Sequence, residues 1–96
     1  MRILIATATV PIDFPQFCTM LRDSAKGAGI EIPQGIWWTG GYGCTNLALD
    51  LIGDDKTCET FANGLTMALM PSKWQTTRDC LPEADTYDVK PKEDQS

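Results

Sequence analysis

Four cysteines, at positions 18, 44, 58 and 80, and no histidine set the limits on chemistry in this 96-residue chain. A cysteine attacks as its thiolate, which needs a neighbouring histidine, a cation or a helix N-terminus to form at neutral pH. Cys44 follows Gly43 in a stretch that reads as loop, and no such helper stands beside it. Asn46, two residues on, does not supply one. The cysteine spacings contain no Cys-x-x-Cys pair, so a zinc site is not expected. Asp13, Asp50, Asp54 and Asp55 fall at predicted caps and turns, where a carboxylate has an ordinary structural use. The sequence therefore argues against an enzyme and implies no cofactor or metal. A thiol enzyme using Cys44 is kept only as the third reading.

Contact is better represented than chemistry. Ile36-Trp37-Trp38-Thr39-Gly40-Gly41-Tyr42-Gly43 gathers two tryptophans, a tyrosine and three glycines. Adjacent residues of a strand point to opposite faces. Trp38, in phase with Ile36, is expected in the core, and Trp37 is expected on the other face of the sheet, with Tyr42 at a turn. Aromatic side chains dominate interface energetics, and a glycine-rich turn permits close approach. Trp37, Trp38, Tyr42, Gly40 and Gly41 are thus the predicted contact edge, with Asp54 and Asp55 adding charge. The glycines do not make a phosphate loop, because no Gly-Lys-Ser/Thr follows.

These residues need elements to hold them. Residues 2–10 read as a strand buried on both faces, stopped by Pro11. Asp13 caps a helix whose stripe is Phe14, Phe17, Cys18, Leu21 and Ala25, ended by Gly27 and Gly29. Residues 30–38 read as one irregular strand kinked at Pro33-Gln34-Gly35, and residues 39–43 as a turn. Residues 45–51 alternate, with Leu47, Leu49 and Leu51 on one face, which favours a strand over a short helix. A second helix, started by Asp54, carries Cys58, Phe61, Ala62, Leu65 and Leu69. Gly64 inside it costs about 1 kcal/mol relative to Ala, which suggests a close helix–sheet contact. Residues 73–81 read as a last strand, with a short helix capped by Ser72 as the alternative. The order β-α-β-β-α-β predicts an α+β, ferredoxin-like split βαβ fold, a four-stranded antiparallel sheet with both helices on one face.

Composition bounds the rest. One domain, residues 1–82, is followed by residues 83–96, an acidic segment read as a disordered tail. The tail holds −3 of the net charge of −5. Direct nucleic-acid binding is disfavoured, since that relies on Lys and Arg neutralising phosphates. The opening apolar run is too short for a signal peptide or a membrane span, so a cytoplasmic protein with free thiols is expected. The reading is a protein-binding module, an inhibitor or adaptor that occupies a surface of a larger partner. By type alone it fits the small phage-encoded anti-defence class that includes anti-CRISPR proteins. The alternative is a homodimeric domain that binds a small regulatory molecule.

Overall fold

The computed structural model describes residues 1–7, 13–40 and 45–89. Seven elements follow in order: β1 (Arg2–Thr7), α1 (Phe14–Gly27), β2 (Trp37–Gly40), β3 (Thr45–Asp50), α2 (Asp55–Ala68), β4 (Ser72–Thr76) and β5 (Thr86–Val89). They form an α+β domain with two helices and one mixed five-stranded sheet of order β4-β1-β3-β2-β5. Neighbours among the first four are antiparallel, whereas β5 lies parallel to β2. The sheet expected from the sequence, four strands and wholly antiparallel, is thus corrected to five strands and mixed.

The register sorts side chains into two faces. Trp74, Ile5, Leu47, Trp38 and Tyr87 form one cross-strand row. This face packs against Phe14, Cys18, Leu21 and Ala25 of α1 and Cys58 and Ala62 of α2, in a single core. The opposite face carries the row Gln75, Leu4, Ala48, Trp37 and Thr86. Both helix starts use the predicted caps. Asp13 accepts from Gln16 N at 3.1 Å, and Asp54 accepts from Thr57 N at 3.3 Å. Beyond α1, Gly29 takes φ +81°, a left-handed turn that favours glycine.

Several boundaries differ from the sequence reading. Glu31 makes only an isolated bridge to Ile52. The ladder is then lost through Pro33 and Gly35, so β2 begins at Trp37, and Thr39 and Gly40 belong to it rather than to a turn. β4 stops at Thr76 because its partner runs out: Thr77 N donates to Arg2 O, at the start of β1. The chain then crosses from one edge of the sheet to the other and adds β5. Residues 86–89, assigned by the sequence to a solvated tail, are therefore a paired strand. The ends expected at residues 8–10, and the tail from residue 90, lie outside the described residues.

Candidate functional site

The predicted contact residues separate into three places. Trp38 is 0% exposed, packed edge-on to Phe17 with ring centroids 5.1 Å apart. It is a core side chain and no contact surface, which corrects its place in the predicted edge. Gly40 is buried at the end of β2. Trp37 is half-buried on the opposite face, beside Ala48, which Leu4 flanks on its other side. There it shares a cavity of about 490 Å³ with Cys80, Leu81 and Pro82 of the connector between β4 and β5. Gly41, Tyr42 and Cys44 lie outside the described residues. Asp54 and Asp55 stand exposed at the start of α2, in the helical layer rather than on the Trp37 face.

Asp54 instead marks one end of a second feature. A cleft of about 660 Å³ runs between α1 and α2. Ser24 and Ala28 line it from α1, and Phe61, Gly64, Leu65 and Ala68 from α2. Phe61 and Leu65 are only half-buried, so they give apolar surface to the cleft as well as to the core. A Cβ on Gly64 would meet nothing within 4 Å. Gly64 is open to the cleft, so the close helix–sheet contact expected there is corrected. The small residues keep the cleft shallow-walled, which suits the approach of another backbone more than the enclosure of a substrate.

The third feature is a polar latch that the sequence reading missed. Arg22 of α1 grips Asp85 with two bonds of 2.7 Å. Asp85 also accepts from Ile36 N at 2.9 Å, and Arg22 donates to Gln34 O at 3.2 Å. The Arg22 hydrogen bonds hold the Asp85 carboxyl down at about 2. Burial, together with the Asp85 charge, pushes the neighbouring Cys18 thiol up to about 12, so it stays protonated. Cys58, buried in α2 with its thiol 3.7 Å from Leu51 O, is likewise shifted up by burial. Neither thiol has the character of a nucleophile. No group of three potential metal ligands occurs among the described residues. None of their helices is long and apolar enough to cross a membrane.

Nothing in charge counting would have singled out Asp85. The usable signal was Thr86-Tyr87-Asp88-Val89, a short run of strand-forming residues inside an acidic window. Comparison with protein families and with curated proteins finds no match to this chain.

Proposed function

We propose that the protein is a non-enzymatic protein-binding module, an inhibitor or adaptor that works by covering a surface of a larger cytosolic partner. The observation that carries this reading is the cleft between α1 and α2, apolar, open along its length and bounded by Asp54. With Ser24, Ala28, Gly64 and Ala68 along it, it has the small, close-approach lining of a docking surface. On this reading the β4-β1-β3-β2 part is a ferredoxin-like split βαβ unit to which β5 is an addition. A phage-type anti-defence inhibitor, such as an anti-CRISPR protein, remains the fitting class by size and charge.

The test is capture from host extract with two variants. Gly64→Trp fills the cleft without entering the core, and Trp37→Ala strips the other face. Partner capture lost with Gly64→Trp and kept with Trp37→Ala is the expected result. The reverse pattern would move the contact to the aromatic face, and retention by both would defeat the proposal. A second reading, a homodimer that pairs through the sheet face away from the helices and binds a small molecule at the dimer edge, draws on the uncharged row Gln75, Leu4, Ala48, Trp37 and Thr86. Light scattering with added metabolites distinguishes it.

A further inference from the structure

The connector and β5 reach the sheet as a peptide reaches a receptor. The groups that hold them belong to α1, to β2 and to the two residues before β2. Arg22 clamps the Asp85 carboxylate through its two terminal guanidinium nitrogens, Nη1 and Nη2, and Ile36 N donates to the same carboxylate. Ile36 O receives Thr86 N at 2.9 Å, and Gly35 N donates to Pro82 O at 2.9 Å. The chain then runs parallel to β2 in the register Trp37↔Thr86, Trp38↔Tyr87 and Gly40↔Val89. Tyr87 stacks on Phe14 with centroids 5.3 Å apart. Gly35 leaves room for the Ala84 backbone, where any Cβ would collide.

The same segment is loosely tied to the body it comes from. Between β4 and this site, Arg78, Asp79, Cys80, Glu83 and Ala84 are exposed, and Leu81 and Pro82 are half-buried beside Trp37. Thr77 N to Arg2 O and Arg2 Nη1 to Asp79 O join the early part of the connector to β1. The segment is thus held at its far end by a specific site and linked to β4 by mostly exposed chain.

We infer that Phe14, Arg22, Gly35 and Ile36 form a strand-acceptor site for an Asp-x-Tyr segment, filled here by the chain's own Asp85-Thr86-Tyr87, and that the site takes the same segment from a second copy. The exchange adds one strand to a sheet edge, a low-cost route to a two-fold dimer that repeats the contacts of the monomer. The intramolecular segment competes at an effective concentration in the millimolar range, so dilute wild-type protein is monomeric and exchange appears at comparable protein concentration, or when the internal pairing is made worse than the pairing between chains.

Charge reversal tests this directly. Arg22→Glu sets a second carboxylate against Asp85 within one chain, and Asp85→Arg sets a second guanidinium against Arg22 within the other. In an exchanged heterodimer of the two variants, one latch regains the wild-type pair of Arg22 and Asp85, and the other joins the two introduced charges, which are again opposite only if each tail crosses to the other chain. The double variant within one chain restores opposite charges internally with the partners swapped. Each single variant alone should be monomeric, with a lowered melting temperature. An equimolar mixture should give a dimer by light scattering and recover part of the lost melting temperature, and the double variant should stay monomeric and recover less than the mixture, because Ile36 N then faces a guanidinium and Gln34 O a carboxylate. A mixture that stays monomeric and unstabilised overturns the inference. A second measurement does not depend on those variants folding well. Wild-type protein refolded at about millimolar concentration should contain a dimer fraction that grows with concentration. Purely monomeric product there also overturns it. Neither readout involves the cleft, so its failure leaves the proposed function standing, and the reverse.

Discussion

Asp85 is the residue on which most of the unexpected structure turns. Its carboxyl falls to about 2 from the usual 3.8, first because Arg22 hydrogen-bonds to it. A lowered folded-state value means stability that is complete above the unfolded value and lost as the pH falls. The contribution should therefore begin to fall below about pH 5 and vanish only at about pH 1, below the folded value of about 2. After allowance for solvent screening of a partly exposed pair it is worth about 1 kcal/mol. Asp85→Asn should cost that amount at pH 7. The gap between wild type and variant in chemical denaturation should shrink steadily between about pH 5 and about pH 1, and a gap that stays constant over that range would refute the assignment. Thiol labelling gives a second residue-level check. Cys80 is exposed, whereas Cys18 and Cys58 are buried and shifted up. Cys80 should react at once at neutral pH and the other two only at the rate of unfolding, as peptide mapping by mass spectrometry would show.

At the scale of elements, the helices and central strands follow patterns that can be read along the chain. Asp13 and Asp54 cap where a short acidic side chain precedes an apolar stripe, and the buried residues of α1 are those of the i, i+3, i+4 spacing. Asp54→Ala should cost about 1 kcal/mol, measured by thermal melting. What could not be read depends on partners distant in sequence. β4 ends at Thr76 because β1 begins at Arg2, a fact of register and not of local preference. β5 is short and acidic in context, and its place is decided by Arg22 and Ile36, some fifty to sixty positions earlier. The Trp pair was legible in phase: Trp38 went to the core and Trp37 to the other face. Its role was not, because the connector that lines the Trp37 cavity comes from beyond residue 76. The cleft escaped notice for a similar reason. Gly64 looks like a defect in a helix until the second helix shows that it faces open space. Gly64→Ala should accordingly raise stability by up to about 1 kcal/mol, because it improves helix propensity without a clash.

For the whole molecule, the question is whether the segment after β4 is an appendage or part of the fold. An acidic tail in solvent could be removed without cost. The structure argues otherwise, since removing residues 83–96 would uncover Phe14 and open the β2 edge. It would also leave Arg22 without its carboxylate and Ile36 N without its acceptor. An aromatic pair is worth roughly 0.5–1.5 kcal/mol beyond its area, and a hydrogen bond exchanged for water costs roughly 0.5–1.5 kcal/mol. Together with the latch, a loss of about 3 kcal/mol follows, which in a domain of this size lowers the melting temperature by roughly 15 °C. A chain ending at Pro82 should therefore melt far below the full chain, and it should expose the β2 edge to self-association. Gly35→Ala, which pushes the Ala84 backbone off its seat, should move the melting temperature in the same direction by a smaller amount. If truncation left the transition unchanged while Gly35→Ala lowered it, the strain would lie in the segment before β2 and β5 would contribute nothing to the fold. If both fall in the expected order, β5 contributes to the stability of the sheet, and residues 83–89 belong to the fold rather than to a solvated tail.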